Sequence, residues 1–232
     1  LKDDEVENFL GVSEVKKALH VKKGLFLQPI ELKKKLLDHH FIKIILNEKF
    51  VSFTEEKNQV VIDFKSGLRK SYDALAVCTG KGLKDFNDNL KVSYGLLAGI
   101  SNKDLFNIRK PLNHHGYIIP KVDGINWIGS TYEKSPNFKK ENIEEKIKLN
   151  HDIFGRKDLP FEIQDLWEGE RVSDKNNLPI ASKMHGARNI YCIGGLGSRG
   201  LSYAPFLAEI VSSAIQNRQI PLSKEIFTLL NI

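Results

Sequence analysis

Apolar and polar positions along residues 20–64 predict one helix among several short strands. The helix covers Pro29–His39 and has proline in the favoured first turn. A short strand is predicted before it, at His20–Leu27, and three more after it, at Ile42–Leu46, Phe50–Thr54 and Gln59–Phe64. Because polar turns separate the last three strands, they predict an antiparallel meander.

Two further apolar runs end in glycine. Tyr72–Cys78 is an uninterrupted apolar run followed by Thr79-Gly80, and a second strand at Ile190–Ile193 is followed by Gly194-Gly195. Unbroken apolar strands are typical of parallel sheets that are buried on both faces. Ligands of such sheets bind beyond the carboxyl ends of the strands. We therefore expect the two glycine ends to occupy equivalent positions on two strands of one sheet.

The second glycine end continues into a loop with four glycines and then a helix, predicted from about Ser202 to Ile215. Ser202 is expected to cap this helix and Pro205 to fall in its first turn. The loop fits G-x-G-x-x-G from Gly195 to Gly200, but no second strand ending in an acid follows it, as a dinucleotide fingerprint requires. The unit thus closes a sheet. A plain glycine turn between a strand and a packed helix is the alternative interpretation.

The middle of the chain has a different pattern, which predicts a second domain. Its predicted elements are a strand at Val92–Ile100, a hairpin made of Gly116–Pro120 and Ile125–Ser130 around Asp123-Gly124, a helix at Lys139–Phe154, and a strand at Ile163–Gly169 that reaches Arg171. Together with the charged, helix-like residues 1–19, this predicts a domain of 1–19 and 85–171 inserted into a domain of 20–84 and 172–232. The fold class is mixed α/β (α+β): a Rossmann-like sheet with a β-meander, plus an inserted domain with a mixed or antiparallel sheet.

Composition narrows the class of protein. The 232 residues are 41% hydrophobic and carry a formal net charge of +6, which favours a polyanionic partner only weakly. No apolar run approaches a membrane span, so we expect a cytoplasmic protein without a membrane partner. Cys78 and Cys192 lie in apolar runs and are expected to be small buried residues. The His39-His40 and His114-His115 pairs lack a third ligand, so no metal site is expected.

Several segments together carry a resemblance to a known family. They are Gly169-Glu-Arg171, Leu178-Pro-Ile180, the segment from Gly194 to Leu201 and the hairpin from Gly116 to Gly124. This combination resembles the FAD-dependent D-amino-acid-oxidase-like family and is most similar to its MnmC-like group of tRNA-modifying enzymes. The resemblance covers most of the chain in the order of the family.

The resemblance implies an FAD-dependent amine oxidoreductase. For the MnmC-like group, it implies removal of the carboxymethyl group from 5-carboxymethylaminomethyl-(2-thio)uridine at the tRNA wobble position, with glyoxylate as the other product. The implied partner is tRNA, with a methyltransferase as a second partner or fused domain. A glycine-oxidase-like or D-amino-acid-oxidase-like enzyme for a small amine and a non-catalytic form of the fold remain as alternatives.

The same resemblance implies the site residues. Arg171 would bind the substrate carboxylate through its planar guanidinium; an ion pair at a domain interface is the alternative. Tyr117 and Tyr132 would line the substrate pocket, or simply pack. The implied cofactor-binding residues are Thr79, Gly80, Gly194, Gly195, Leu196, Gly197, Ser198, Arg199, Gly200 and Leu201.

Two departures from the family pattern lead to further expectations. The first glycine-rich βαβ unit of the family has no counterpart in these residues, so we expect a truncated chain in which the adenosine half of FAD lacks its usual binding site. Glu170 and Asp174 flank Arg171 in sequence, so we expect them to offset part of its attraction for a carboxylate.

Overall fold

The computed structural model describes residues 1, 4–12, 14–15, 17–24, 26–101, 108–152, 160–219, 222–223 and 225–226. The helices within these residues are α1 (Asp4–Leu10), α2 (Pro29–Leu37), α3 (Lys140–His151) and α4 (Gly200–Ile215). The strands are β1 (Phe50–Glu56), β2 (Gln59–Phe64), β3 (Arg69–Tyr72), β4 (Leu75–Val77), β5 (Leu90–Ser101), β6 (Leu112–Asn113), β7 (Tyr117–Val122), β8 (Ile125–Gly129), β9 (Glu162–Asp174), β10 (Ile180–Lys183) and β11 (Ile190–Gly194).

The chain forms two compact units, and each consists of two segments. Unit 1 comprises Leu1–Ile42 and Tyr94–Gly169, and unit 2 comprises Lys43–Ser93 and Glu170–Ile232. Two of the three boundaries fall inside the long strands β5 and β9, and the third lies between Ile42 and Lys43. Residues 20–42 therefore group with unit 1, whereas the sequence pattern had placed them with the glycine-terminated strands.

Unit 1 is built on the five-stranded sheet in the order β6-β7-β8-β5-β9. Its main core cluster is aliphatic, because helices α1 and α3 turn their apolar stripes toward strands β5, β7 and β8. Asn150 and His151 at the end of α3 are also fully buried. The core residues shared by these elements include Val6, Leu96, Ile118, Ile143 and Ile147. The predicted hairpin is confirmed: β7 and β8 are joined by Asp123-Gly124, both at positive φ, as a two-residue turn of this type requires.

Unit 2 contains two three-stranded sheets, β1-β2-β3 and β10-β11-β4. Strands β4 and β11 are parallel, with Val77 opposite Cys192, which confirms the parallel pairing predicted from their apolar character. Helix α4 covers one face of this sheet through Leu207, Ile210 and Val211. Residues of the meander, including Val60 and Ile62, belong to the second core cluster, which also contains Val77 and Ile190.

The meander exists, but its strands differ from those predicted. The segment Ile42–Leu46 is not a strand, and β3 is the third strand in its place. A strand needs a neighbour to accept and donate its backbone hydrogen bonds, and no described segment pairs with residues 42–46. Ile44 and Leu46 are consequently 52% and 75% exposed. The predicted strand at His20–Leu27 is also absent among its described residues.

Other predicted boundaries need correction. Helix α2 ends at Leu37, two residues earlier than predicted, and α3 ends at His151, with Ile153 and Phe154 outside the described residues. The predicted run Tyr72–Cys78 is interrupted after Tyr72 and resumes as β4. Cys78 is exposed rather than buried, because β4 ends one residue before it. Among the described residues, the structure contains no helix that is both long and apolar enough to span a bilayer.

Candidate functional site

The two glycine ends predicted to be equivalent do lie side by side. Strands β4 and β11 are hydrogen-bonded neighbours that run in the same direction, with Val77 paired to Cys192. Thr79-Gly80 and Gly194-Gly195 therefore both follow the carboxyl ends of adjacent strands. This is the edge at which ligands bind in open parallel sheets.

The glycine loop that follows β11 requires glycine at two positions. Gly195 and Gly197 have φ values of 65° and 55°, in the left-handed region that other residues enter only at a cost. A Cβ atom on Gly195 would lie 3.4 Å from the backbone nitrogen of Asp174 and the carbonyl oxygen of Leu178. The loop therefore packs at ordinary contact distance against the end of β9 and the segment that follows it.

Helix α4 begins directly after this loop without a side-chain cap. Its N-cap residue is Arg199, and no side chain accepts a hydrogen bond from its first turn. This corrects the expectation that Ser202 caps the helix, because Ser202 lies inside its first turn. Uncapped N–H groups and the positive end of the helix dipole favour an anion or a carbonyl oxygen. Pro205 lies beyond the first turn of α4, in contrast to the expectation, and leaves the carbonyl oxygen of Leu201 without its usual partner, the N–H of residue 205.

The end of β4 presents a second open backbone position. Gly80 has a φ of 57° and starts the 3-10 turn Gly80–Asp85. A Cβ atom at Gly80 would meet no protein atom within 4 Å, so this backbone faces free space. At Gly194, in contrast, a Cβ atom would collide with the side chain of Leu83 in the same turn. The turn after β4 and the glycine loop after β11 are thus in direct contact.

Strand β9 brings Arg171 to the same part of unit 2. Ser173 forms an antiparallel bridge with Leu196 of the glycine loop. Side chains on a strand alternate between its two sides, and Val172 is buried in the second core cluster. Arg171 therefore shares a side of β9 with Ser173, two residues before the contact with the glycine loop, and is half-buried.

The two acids beside Arg171 have other partners. The Glu170 carboxylate is 2.8 Å from the Lys81 ammonium group, next to Gly80. The Asp174 carboxylate accepts a 2.7 Å hydrogen bond from the backbone N–H of Asn176. The structure thus pairs both carboxylates that were expected to offset the charge of Arg171.

Arg199 of the glycine loop makes contacts within the protein. One of its terminal nitrogens donates a 2.6 Å hydrogen bond to the carbonyl oxygen of Asn177, and the other lies 3.2 Å from the Tyr203 hydroxyl. Its guanidinium also lies 5.0 Å from the centroid of the Tyr203 ring. Arg199 therefore links the segment after β9 to the first turn of α4.

The two tyrosines assigned to the substrate both lie in unit 1. Tyr117 is in β7, half-buried and opposite Gly129. Tyr132 follows β8 and is 65% exposed. Their predicted role in a substrate pocket stays a prediction.

Four residues with a structural role at this site were missed in the sequence. Lys81, Leu83, Ser173 and Asn177 connect the turn after β4, strand β9 and the glycine loop. For Lys81, its position directly after Gly80 is a local signal in the sequence. The other three have ordinary identities in ordinary segments and become apparent only from their contacts.

These residues fit the cofactor implied by the sequence resemblance. The uncapped start of α4 and the open backbone at Gly80 offer donors and space to a flat, polar group such as a flavin with its phosphates. Among the described residues, no group of three histidines, cysteines or acids is arranged to bind a metal ion.

Comparison with known proteins identifies the family. The model of the DAO family, described as FAD dependent oxidoreductase, matches residues 2–214. The chain belongs to this family. FAD is therefore the cofactor of the family to which it belongs, and its mixed α/β fold is that of FAD-dependent oxidases.

Curated relatives are longer than the chain and share a low identity with it. The tRNA 5-methylaminomethyl-2-thiouridine biosynthesis bifunctional protein MnmC of Idiomarina loihiensis is 24% identical over 97% of the chain and 39% of its own length. The protein of the same name from Polaromonas naphthalenivorans is 27% identical over 48% of the chain and 20% of its own length. The chain thus spans no more than about two-fifths of these relatives.

A solved structure supports the fold independently. Glycine oxidase from Geobacillus kaustophilus superposes with a TM-score of 0.65 over 79% of the chain and 51% of its own length, at 13% identity. At this identity the likeness concerns the fold alone.

Proposed function

We propose that this chain contributes the flavin and substrate contacts of an FAD-dependent oxidoreductase that removes the carboxymethyl group from 5-carboxymethylaminomethyl-(2-thio)uridine at the tRNA wobble position. The observation that carries the proposal is the convergence in unit 2 of the glycine loop, the Thr79-Gly80 end of β4 and the Arg171 segment of β9.

The proposed roles follow from the backbone and the charges of these segments. Gly80 and residues 194–201 hold the cofactor through backbone N–H groups and close approach, with the start of α4 stabilising negative charge. Bound FAD would supply the hydride acceptor for the carbon beside the amine nitrogen of the substrate. Hydrolysis of the resulting substrate imine then releases glyoxylate and leaves the shortened aminomethyl group on the uridine.

Arg171 orients the substrate in this proposal. A guanidinium can form two parallel hydrogen bonds to a carboxylate, which fixes the plane and direction of the carboxymethyl arm. Because Lys81 pairs with Glu170 and the Asn176 N–H with Asp174, both acids have other partners. The proposed substrate therefore meets a cation whose neighbouring acids are paired elsewhere.

The choice of tRNA rests on the relatives and on charge. The MnmC relatives are named for biosynthesis of a modified uridine in tRNA. A formal net charge of +6 suits a polyanionic substrate. The same relatives are named as bifunctional, which fits a methyltransferase as a fused domain or separate partner.

The cofactor part is tested by visible absorbance of the purified 232-residue chain before and after incubation with FAD and re-isolation. We expect a retained flavin band near a 1:1 stoichiometry. A chain that is folded by circular dichroism but never retains flavin contradicts the cofactor assignment.

The substrate part is tested with the flavin-loaded protein and tRNA that carries 5-carboxymethylaminomethyl-uridine. Nucleoside mass spectrometry is expected to show loss of the carboxymethyl group, with glyoxylate formed in equal amount. Glyoxylate formed from free glycine, with the tRNA unchanged, would instead support the small-amine oxidase. Flavin retention with neither activity would support the non-catalytic form.

A further inference from the structure

Unit 2 contains a cavity of about 390 Å³ whose lining shares Leu83 with the site described above but includes none of the proposed cofactor-binding or substrate-binding residues. It is formed by the turn after β4, the start of β5, strand β10 with the residues that follow, and Cys192 of β11. Cys192 belongs to the cluster on the face of the sheet that includes Val77, whereas Ile193 and Tyr191 pack in the cluster with α4. The cavity is therefore on the face opposite α4, and its volume is within the range of small-molecule sites, about 300–1,000 Å³.

One wall of the cavity is a fixed aromatic ring. Phe86 packs against Phe53 with ring centroids 5.7 Å apart and an interplanar angle of 28°, and it stays 38% exposed. Leu90, Ile180 and Met184 extend the apolar lining. A ring held in this way favours a flat ligand, because stacking requires a planar partner.

The polar part of the lining supplies hydrogen-bond donors. The carboxamide oxygen of Asn87 accepts a 2.9 Å hydrogen bond from the backbone N–H of Asn89, so its NH2 group is the part that a ligand can use. The Ser182 hydroxyl makes no hydrogen bond to any described residue. Burial raises the pKa of the Cys192 thiol, and the neighbouring Cys78 adds to this, so the thiol is mainly protonated at neutral pH and only its small thiolate fraction reacts with alkylating reagents. Lys183, whose ammonium group lies 5.5 Å from the centroid of the Tyr191 ring, and His185 complete the polar part of the described lining, and no carboxylate is present in it.

We propose that this cavity binds a flat heteroaromatic ring of about nucleobase size that carries no positive charge, with its acceptor atoms toward Asn87 and Ser182. The apolar wall with Phe86 supplies the stacking surface, and the donor-rich lining selects acceptors over cations. None of the lining residues is assigned to the cofactor or the substrate, so the proposal does not depend on those assignments.

The test uses the two cysteines of the chain. N-Ethylmaleimide is added to the full chain, and the alkylation rates of Cys192 and Cys78 are followed by peptide mass spectrometry with uridine or adenosine present. At about ten times its Kd, a nucleoside that fills the cavity is expected to slow alkylation of Cys192 about ten-fold. Cys78, which is exposed and outside the lining, is the reference and should slow much less than Cys192, although the two residues are neighbours.

Two variants of Ser182 sharpen the test. Ser182→Leu fills the cavity and should abolish the protection by nucleoside, whereas Ser182→Ala keeps the space and should only weaken it. If the leucine variant does not fold, the ratio of the alkylation rates of Cys192 and Cys78 in the wild-type chain still tests the proposal. The proposal is overturned if neither nucleoside slows Cys192, if both cysteines slow equally, or if FAD alone protects Cys192.

Discussion

The Lys81 ammonium group and the Glu170 carboxylate are 2.8 Å apart, and this ion pair joins the turn after β4 to the strand that carries Arg171. It brings two segments 89 positions apart in sequence to the edge where the glycine loop also begins. Both residues of the pair are next to candidate site residues, because Lys81 follows Gly80, whose backbone is open, and Glu170 precedes Arg171.

Replacing Lys81 leaves a carboxylate without this partner next to Arg171. For Lys81→Ala we expect the apparent KM for the carboxymethylaminomethyl substrate to rise about two- to five-fold with kcat little changed, because half-exposed ion pairs are worth up to about 1 kcal/mol. Steady-state kinetics of the flavin-loaded protein measures this. Lys84→Ala, an exposed lysine of the same turn, is the matched control; an equal effect there would remove the special role of the pair.

Replacing Arg171 tests the proposed carboxylate contact directly. Arg171→Lys keeps the positive charge but loses the two parallel donors, and we expect kcat/KM to fall on the order of 10- to 100-fold. The flavin spectrum should be unchanged, because the cofactor contacts are assigned to other residues. Unchanged turnover by flavin-loaded Arg171→Ala would leave Arg171 with a purely structural role. Arg188→Lys, in the loop before β11, is the control.

Gly80 offers a test of cofactor binding with an internal control. Gly80 and Gly67 both have positive φ values, 57° and 87°, and in both a Cβ atom would meet no protein atom within 4 Å. Alanine should therefore destabilise the protein at either position by about 1–2 kcal/mol. Only Gly80→Ala is expected to weaken FAD retention, measured by absorbance after re-isolation. Equal flavin content in the two variants would place the cofactor away from the end of β4.

The buried His151 predicts a loss of stability in mild acid. Its side chain is fully buried in unit 1, and desolvation lowers its pKa from 6.5 to about 4. The unfolded chain therefore binds a proton between pH 6.5 and 4 that the folded chain does not. The contribution of His151 to the free energy of unfolding is fully present above pH 6.5. The free energy of unfolding is expected to be lower by about 2 kcal/mol at pH 5 and by about 3 kcal/mol near pH 4.

Urea denaturation at pH 7 and pH 5 measures this difference. His151→Leu should reduce the difference in free energy of unfolding between the two pH values, even if it lowers stability at both. His114→Gln removes an exposed imidazole and is the matched control. An undiminished pH dependence in His151→Leu would assign the acid sensitivity to other groups.

Glu55 connects the meander to the loop before β11. Its two carboxylate oxygens accept hydrogen bonds of 2.6–3.0 Å from the backbone N–H groups of Arg188 and Asn189. These bonds lower its pKa, so the stabilisation is present above the unfolded pKa and is lost as the pH falls through the folded value.

For Glu55→Ala we expect a loss of about 1 kcal/mol or less, because the carboxylate is exposed to water. Thermal unfolding at pH 7 measures the loss. Glu56→Ala, which removes the neighbouring carboxylate and its pairing with Arg69, is the control. A larger effect at Glu56 would contradict the importance of the backbone contacts.

Several elements could be predicted because their signals are local. The hairpin around Asp123-Gly124 follows from two residues that tolerate positive φ between apolar strands. The parallel pairing of β4 and β11 follows from two apolar runs, each followed by glycine. The predicted strand at Ile42–Leu46 was wrong because strand formation also depends on a non-local partner. Its side chains suit a strand, but no described segment pairs with it.

The sequence alone determined the family, the mixed α/β class and the positions of the glycine loop, because these depend on residue types and their order. The tertiary structure decided what surrounds the candidate site: the Lys81–Glu170 pair, the bridge between Ser173 and Leu196, and the hydrogen bond from Arg199 to the carbonyl oxygen of Asn177. Such contacts join positions 22–89 residues apart. They arise only when the sheet and its loops fold together, so no local pattern in the chain records them.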